Sequence, residues 1–533
     1  MLEQNDLSFV APYLAKIFIL YLLYLVTKQV LKIVGIDIGS RSKSCSSSNG
    51  RNGLFSKIIL QMSKFIFMVL IAPFKFLGYI FNISFSESNF LPFFERLYFL
   101  NRFNRGLLLD GVNGRIEEEV SYQHLALIAM TGGGKTSTYI IPNIFTIDSA
   151  SIVVTDLSGE LFEKTSGYMK SKGFKIQVLN FSDIDNSLKF NPFNYVDNSD
   201  AIAELSHILI KSANPTVGTE GKYWLDGAEQ ILNILISCLK NSKKEEYMNL
   251  VNLKHMLNNF GEVGKNLDSF IVKYADDMVF SEWKGFTTTG NKKVMQTFVS
   301  TALNSLKSLS NKDLALLTAT NSIHFESLRE EKTILYLIVP QEKLDFYSFL
   351  INIFYTQLFN SLMKKRDKKD LSVYLLLDEF GHLSIPNFST IITTIRKYRV
   401  SVSILLQSIT QLEKQYGKAD ANTILNGGIA SKIFLSGADL QTTTMLEKML
   451  GSKKVEYKDG DRTFFKDEKV MSLDKIRTMN KNKAIYIYSN KKPVMLKIRG
   501  YYNSFSFSRY AKMPPVQIEV KQENKNIKYV NLD

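Results

Sequence analysis

The residues with the clearest chemistry form one short loop, Ala129-Met130-Thr131-Gly132-Gly133-Gly134-Lys135-Thr136. An apolar run, 125–129, precedes the loop, and a predicted helix follows it. Three consecutive glycines allow backbone N–H groups to point toward one place, because glycine tolerates positive φ angles. With the N-terminus of the following helix, these groups form a site suited to phosphates. The pattern predicts a P-loop. We expect ATP to be bound by Thr131, Gly132, Gly133, Gly134, Lys135, Thr136 and Ser137.

Two side chains of this loop have specific expected roles. Lys135 would reach the β- and γ-phosphates, and the Thr136 hydroxyl would ligate Mg²⁺. Ala129 stands where the strict pattern has glycine, and we expect it to end the strand in an extended conformation. The alternative is a flexible glycine-rich turn with a chance Gly-Lys-Thr, but the flanking strand and helix favour the P-loop.

A second acidic motif follows a predicted buried strand, 372–377. Asp378, directly after that strand, would hold Mg²⁺ through water beside Thr136. Glu379 would polarise the attacking water as a general base. An apolar run followed by Asp-Glu is a weak signal alone and a strong one downstream of a P-loop. The sequence therefore favours hydrolysis over binding without turnover.

Three further polar residues lie near the next predicted strand, 400–406. Gln407 ends that strand, which should lie beside the strand of Asp378. Its carboxamide would contact the γ-phosphate or the attacking water, unless it is only a polar strand end. Arg396 and Arg399 precede the strand. In ring ATPases an arginine of the neighbouring subunit stabilises charge on the transferring phosphoryl group. Either arginine could instead be an ordinary surface charge.

The elements that position these residues follow an α/β pattern with a mostly parallel sheet. Predicted strands cover 124–129, 151–155, 175–180, 333–339, 372–377, 400–406, 429–435, 484–489 and 494–499. From 198 to 325 only helical periodicity is present. We therefore expect a P-loop, RecA-like motor domain at 123–197 and 326–509. An all-α domain, 198–325, would be inserted in it, and an adaptor, 83–122, would precede it.

The first 82 residues predict a membrane anchor. Residues 9–27 are strongly apolar and long enough to cross a bilayer. A basic stretch, 37–57, separates them from a second apolar stretch, 58–81, which contains two lysines and a proline. The simplest interpretation is two membrane helices. Since the intervening loop is basic, positive-inside logic would keep it cytoplasmic and make the second stretch interfacial or re-entrant. Both stretches could also be buried helices of a soluble protein.

The composition of the chain says more about its binding partners than about its fold. The chain has 533 residues, 45% of them hydrophobic, and a formal net charge of +15. This excess favours nucleic acid or anionic lipid as partners. Two distant cysteines and five scattered histidines indicate neither a disulfide framework nor a zinc site. We expect 510–533 to be a short, basic, poorly ordered tail.

Several motifs together resemble one family. They are Asp378-Glu379-Phe380-Gly381-His382-Leu383, Ile385-Pro386, Arg396-Lys397-Tyr398, Leu405-Leu406-Gln407-Ser408, Gln411-Leu412 and Tyr416-Gly417. In this order they resemble type IV secretion coupling proteins, the TraG/TraD-like conjugation ATPases related to FtsK and HerA motors. Residues 155–161 resemble the family's Asp-x-Lys-Gly-Glu segment, with Ser158 where lysine is common. The resemblance covers about 100 to 505.

The resemblance implies a hexameric ring under the inner membrane, with cytoplasmic motor domains around a channel. Such proteins link relaxase-bound single-stranded DNA, or protein effectors, to the inner-membrane components of the secretion channel. The resemblance assigns the trans-acting role to Arg396 and places Asp156 near the nucleotide. Three alternatives stay open: a coupling ATPase mainly for protein effectors, a low-turnover nucleotide-gated substrate receptor, and a chromosome-segregation motor.

Overall fold

A computed structural model of the chain describes residues 89–214, 221–288, 291–364, 367, 369–459, 462–518 and 526–532. The chain forms two compact units, residues 1–88 with 92–98, and residues 89–91 with 99–533. Within the first unit, only 92–98 are described. The predicted anchor, 1–82, lies outside the described residues. Among those that are described, no helix combines the length and the apolarity needed to cross a membrane.

A nine-stranded sheet organises the second unit, and a separate two-stranded hairpin accompanies it. The strands are β1 (Leu125–Ile128), β2 (Ala150–Asp156), β3 (Lys175–Asn180), β4 (Thr333–Ile338), β5 (Ser372–Leu377), β6 (Val400–Leu406), β7 (Ser431–Leu435), β8 (Ser452–Asp459), β9 (Arg462–Lys469), β10 (Lys483–Tyr488) and β11 (Val494–Lys497). Their order in the large sheet is β11-β10-β7-β1-β6-β5-β2-β4-β3.

The pairing confirms a mostly parallel sheet. Strands β3, β4, β2, β5, β6, β1 and β7 pair in parallel, whereas β10 is antiparallel to both β7 and β11. The central strands are buried along their whole length, as expected where both faces are covered. Alternate residues of β1 enter two apolar cores: Ala126 and Ile128 on one face, Leu125 and Leu127 on the other.

The described residues contain eighteen α-helices, and those of the second unit cover both faces of the sheet and fill the long interval between β3 and β4. They are α1 (Phe93–Phe99), α2 (Glu118–Ser121), α3 (Ile141–Thr146), α4 (Glu160–Ser171), α5 (Ser199–Ala213), α6 (Lys222–Asn241), α7 (Leu250–Asn258), α8 (Asp268–Tyr274), α9 (Asp277–Thr288), α10 (Lys292–Ser305), α11 (Lys312–Ala319), α12 (Ser327–Glu330), α13 (Leu344–Leu362), α14 (Phe388–Thr394), α15 (Ile409–Asn422), α16 (Leu440–Leu450), α17 (Leu473–Arg477) and α18 (Phe505–Tyr510). A π-helical turn, Thr136–Ile140, leads directly into α3.

The interval from β3 to β4 is helical, as its periodicity predicts. Its described parts, 181–214, 221–288 and 291–332, contain helices and loops but no strand. Asparagine side chains accept backbone N–H bonds at the starts of four of these helices, which satisfies donors that the helix itself leaves unpaired. These N-caps are Asn198, Asn249, Asn291 and Asn311. The helical insert belongs to the same compact unit as the sheet, and the domain boundaries stay a prediction.

Two expectations from the sequence are incomplete or wrong. All nine predicted strands occur, with ends shifted by at most two residues, but the β8–β9 hairpin was not expected. The expectation of a poorly ordered tail is wrong for residues 526–532, which lie against α7. Residues 513–516 lie against α4. Hydrogen bonds to buried side chains, which composition does not reveal, fix both segments.

Candidate nucleotide-hydrolysis site

The predicted site residues converge at one edge of the sheet. Strands β1, β6 and β5 are neighbours, and the register pairs Ile128 with Leu406 and Leu377 with Ile404. The P-loop, Gln407 and the Asp378-Glu379 pair therefore leave the sheet side by side at its carboxyl edge. Parallel α/β sheets bind their ligands at this edge. The expectation that the strand of Gln407 lies beside the strand of Asp378 is confirmed.

The loop after β1 has the backbone geometry that its glycines predict. Ala129 directly follows β1, and its N–H donates to the Leu406 carbonyl at 3.0 Å, which agrees with the expectation that the strand ends here. A turn follows, and Gly132 and Gly134 have φ angles of +73° and +86°. The Gly134 carbonyl accepts hydrogen bonds from both the N–H and the hydroxyl of Thr138, at 2.8 and 2.7 Å.

The remaining loop side chains surround this turn. Thr131 is exposed, whereas Gly133, Thr136 and Ser137 are half-buried. The Ser137 hydroxyl donates to the Gly134 carbonyl at 3.3 Å. Thr136 opens the helical turn, and its hydroxyl has no hydrogen-bond partner among the described residues. The Thr136 hydroxyl oxygen is therefore available as a ligand for a metal ion.

Lys135 and Glu379 form the central contact of the site. The Lys135 Nζ lies 2.8 Å from Glu379 Oε1, and the two side chains are only 7% and 13% exposed. Gln407 Nε2 donates to the other carboxylate oxygen, Glu379 Oε2, at 2.9 Å. One carboxylate thus links the P-loop lysine to the strand-end glutamine.

The backbone of Glu379 is itself unusual. Its φ of +49° and ψ of +40° place it in the left-handed region, which a residue with a long side chain rarely adopts. The Glu379 N–H donates to Asp378 Oδ1 at 3.0 Å. Strained backbone of this kind concentrates at functional sites. It orients the Glu379 carboxylate toward the P-loop.

Gln411 is a site residue to which the sequence assigned no role. Its Nε2 donates to Gln407 Oε1, and its Oε1 accepts from the Gln407 N–H, each at 3.3 Å. Gln411 therefore positions the side-chain amide of Gln407, which in turn donates a hydrogen bond to the Glu379 carboxylate. The pattern Ser408-x-x-Gln411 was the available signal, since it marks a helix N-terminus at which such side chains turn back toward the preceding backbone. The Ser408 hydroxyl accepts the Gln411 N–H at 3.3 Å, as in such a cap.

Asp378 carries an altered acidity. Burial, together with the negative charge of Glu379, raises the pKa of Asp378 to about 6, although Lys135 acts in the opposite direction. A half-buried carboxylate with an excess of negative charge nearby favours a cation. Mg²⁺ in nucleotide sites takes one or two carboxylates with substrate phosphates rather than a full protein cage. Asp378 and Thr136 fit that donor set, and together they would hold the ion.

The carboxylate of Asp156 is held by backbone N–H groups, whereas that of Glu379 is held by side chains. Asp156 is buried, and its carboxylate accepts three N–H groups at the start of α4, from Ser158 at 3.3 Å, Gly159 at 2.9 Å and Phe162 at 2.9 Å. Burial raises its pKa despite these bonds. Asp156 thus shapes the loop beside the site and adds to the negative charge near Asp378. Direct contact with the nucleotide stays a prediction.

The comparisons with known proteins bear on this arrangement. Residues 104–529 match the family described as Type IV secretory system Conjugative DNA transfer. The chain belongs to this family of type IV secretion coupling proteins. It is 24% identical over 413 residues to the protein VirD4 of Rhizobium radiobacter, which covers 72% of this chain and 58% of that protein. Against the conjugal transfer protein TraG of the same species, identity is 23% over 355 residues, covering 64% and 54%.

Solved coupling-protein structures share the fold. The unbound monoclinic form of the bacterial conjugative coupling protein TrwBdeltaN70 aligns with a TM-score of 0.61 at 17% identity, covering 77% of this chain and 92% of that one. The plasmid coupling protein TrwB in complex with ADP and Mg²⁺ aligns with a TM-score of 0.61 at 16% identity, covering 77% and 93%. The chain spans about half to three-fifths of the length of the curated relatives just named.

In this coupling protein the two candidate arginines lie at the opposite edge of the sheet. Arg396 precedes β6, whereas Gln407 follows it, so the seven-residue strand separates them by roughly 20 Å. Arg396 is exposed, and its guanidinium has no hydrogen-bond or ion partner among the described residues. Arg399 instead lies 3.5 Å from Glu118 Oε1. Neither arginine therefore lies near the nucleotide site of this chain, and the trans-acting role of Arg396 stays a prediction.

Proposed function

We propose that this coupling protein is an ATPase that uses ATP hydrolysis to drive DNA, as a single strand with its relaxase, into a type IV secretion channel. The supporting observation is the continuous contact from Lys135 through Glu379 to Gln407. A P-loop that only binds nucleotide has no need of a carboxylate held at this position. Gln407, which donates a hydrogen bond to Glu379 Oε2, is suited to orienting Glu379 as a general base.

The geometry suggests an order of events. Lys135 is paired with Glu379, so a phosphate that binds the loop competes with this carboxylate for the ammonium. When Lys135 turns to the phosphate, Glu379 Oε1 becomes available while Gln407 still holds Oε2. The freed oxygen can then accept a proton from water. Substrate binding would thus activate the base.

The metal completes this site. When bound, Mg²⁺ would neutralise charge on the phosphate oxygens. Asp378 must be ionised to hold it, and the cation's own charge favours that form.

The assembly around this site is part of the proposal. A ring of six copies would bring Arg396 of one subunit to the site of the next, where its charge would stabilise the transferring phosphoryl group. The apolar stretches 9–27 and 58–81 would anchor the ring in the inner membrane, with the motor in the cytoplasm. A formal charge of +15 suits a DNA cargo.

The test compares two lysine variants of the full chain in an assay of DNA-stimulated ATP hydrolysis. Lys135→Ala is expected to abolish hydrolysis while membrane association is retained. Lys170→Ala, an exposed position on α4, is the matched control and should leave hydrolysis unchanged. Undiminished hydrolysis by Lys135→Ala would refute the assignment of the site.

Cargo is tested separately, by crosslinking in cells. Contact of the ring with single-stranded DNA supports the proposal. Contact with exported proteins alone would favour a coupling ATPase for effectors. Absence of turnover in the purified wild-type protein would favour a nucleotide-gated receptor.

A further inference from the structure

The side chains of the candidate nucleotide site are suited to phosphates, Mg²⁺ and water, and none of them is aromatic. Lys135 and Thr136 belong to the loop after β1. Asp378, Glu379 and Gln407 follow β5 and β6, which lie on one side of β1 in the order β11-β10-β7-β1-β6-β5. A terminal phosphate that is attacked on that side leaves the ribose and the nucleobase to extend toward β7, β10 and β11.

The chain that follows β11 passes close to the P-loop on this second side. A Cβ added to Gly111 would lie 2.1 Å from the Arg499 carbonyl oxygen and 2.9 Å from the Thr138 carbonyl oxygen. A short turn, Tyr501–Asn503, comes next. Its Cα atoms approach within 8 Å of those of the helical turn Thr136–Ile140. The segment after β11 therefore lies beside the start of the helix that follows the P-loop.

Tyr502 exposes an aromatic ring in this turn, with 63% of its surface accessible. The ring is nevertheless held in place. An added Cβ on Gly500 would lie 2.5 Å from two atoms of the Tyr502 ring. The Tyr501 ring meets it edge to face, with centroids 5.6 Å apart, and the Lys164 Nζ lies 5.7 Å from the Tyr501 centroid. The surrounding residues thus support a ring that has no covering of its own.

Three other exposed apolar side chains on this side are less suited to a nucleobase. Met130 and Leu440 are 50% and 74% exposed, but neither has a flat ring that could stack. Phe505 is 87% exposed and begins α18, which packs against α3 and α4 beyond the P-loop turn. Of these four residues, Tyr502 combines an aromatic ring with a position beside the P-loop.

We propose that Tyr502 binds the nucleobase of the nucleotide by stacking its ring on the purine. Lys135 would hold the phosphate end and Tyr502 the other end of the same ligand. Every base has a π-face, so stacking favours a nucleotide over free polyphosphate without selecting adenine over guanine. The inference rests on the proposed nucleotide site and adds the subsite that distinguishes a nucleotide from its phosphates alone.

The experiment compares ATP with tripolyphosphate, a probe that has the phosphates but no nucleobase. Both are titrated into the full chain with Mg²⁺ by isothermal titration calorimetry. Wild type should bind ATP more tightly than tripolyphosphate. Tyr502→Ala should bind ATP about 5- to 150-fold more weakly, which is the effect of removing an aromatic side chain from a stacked base. Its affinity for tripolyphosphate should be unchanged, and GTP should lose affinity as ATP does.

Two further variants define the contact. Tyr502→Phe retains the ring and should bind both probes like wild type. Tyr529→Ala is the matched control, because this tyrosine is 55% exposed but lies beside His255 of the helical insert. It should change neither affinity. In steady-state hydrolysis, Tyr502→Ala should raise KM for ATP while kcat is retained, since a stacked nucleobase is bound equally in the ground state and the transition state.

Three results would overturn the inference. Equal ATP affinity in Tyr502→Ala and wild type would show that the ring does not contact the nucleobase. Equal losses for ATP and tripolyphosphate would make Tyr502 a structural support of the P-loop. Wild type that binds tripolyphosphate as tightly as ATP would have no nucleobase subsite. Failure of the proposed nucleotide site is a different result, in which Lys135→Ala binds both probes as well as wild type does.

Discussion

The Lys135–Glu379 contact makes a prediction with two opposite effects. Replacing Glu379 with glutamine retains the size of the side chain and its hydrogen bond to Gln407, but it removes the charge. ATP binding should become tighter, because Lys135 no longer has to leave a carboxylate. Hydrolysis should nearly stop, because the amide is no base.

Both magnitudes can be worked from the geometry. Two unit charges 2.8 Å apart attract by about 6 kcal/mol at an effective dielectric constant of ~20. Desolvation of the pair offsets much of this attraction. Removing the pair is therefore expected to make the free energy of ATP binding more favourable by about 1–3 kcal/mol. That corresponds to roughly 5- to 150-fold tighter ATP binding. Loss of a general base costs about 10²–10⁴ in rate.

The assay separates the two effects. Affinity is measured by titrating a fluorescent ATP analogue, and the chemical step by single-turnover hydrolysis with ATP. Gln407→Ala is the matched control, because it disturbs the same carboxylate but leaves the Lys135 ion pair in place. It should slow hydrolysis with little change in affinity.

The reasoning fails if Glu379→Gln binds ATP no more tightly than wild type. In that case the ion pair does not compete with phosphate. It also fails if hydrolysis falls less than about tenfold, far below a general-base contribution.

Three further predictions concern the two arginines, Asp378 and Gly134. Arg396→Ala should retain ATP binding but lose about 10³-fold or more in ring-dependent hydrolysis, whereas Arg399→Ala should cost at most about 1 kcal/mol in urea unfolding and little activity. Since the pKa of Asp378 is raised to about 6, its ionised fraction, and with it Mg²⁺-dependent ATP affinity, should fall about fourfold from pH 7.5 to 5.5. Titration with Mg²⁺ at both pH values should show no such fall in Asp378→Asn. Gly134→Ala forces a side chain onto a φ of +86°, and urea unfolding should show a loss of about 1–2 kcal/mol.

The sheet could be predicted because its strands are buried on both faces. Such strands are continuous apolar runs, and β2, β5 and β6 are buried at every residue. The same logic failed for the β8–β9 hairpin, whose strands are rich in charged residues. Its sequence signal was the pair Gly460-Asp461 between two strand-like runs, since a two-residue connection that begins with glycine is common in hairpins.

The sequence indicated which residues form the site, but it did not indicate the contacts that join them. The motifs indicated Lys135 and Glu379 separately, but their ion pair joins residues 244 positions apart. The tertiary structure determines which basic side chain forms an ion pair with a given carboxylate. The segment 526–532 illustrates the same limit. The basic composition of the tail, 510–533, predicted poor order, whereas Asn252, 276 residues from Lys528, fixes the backbone of this segment.

Ala129 shows how one departure from a motif can be explained by its surroundings. The residue is fully buried, and its N–H bonds to the Leu406 carbonyl directly after the end of β1. A glycine is not required there, since the positive φ angles occur later, at Gly132 and Gly134. A Cβ placed on Gly133 would lie 3.2 Å from the Ala129 Cβ and 2.8 Å from the Met130 carbonyl oxygen. The small side chain at 129 is therefore compatible with the loop because position 133 has none.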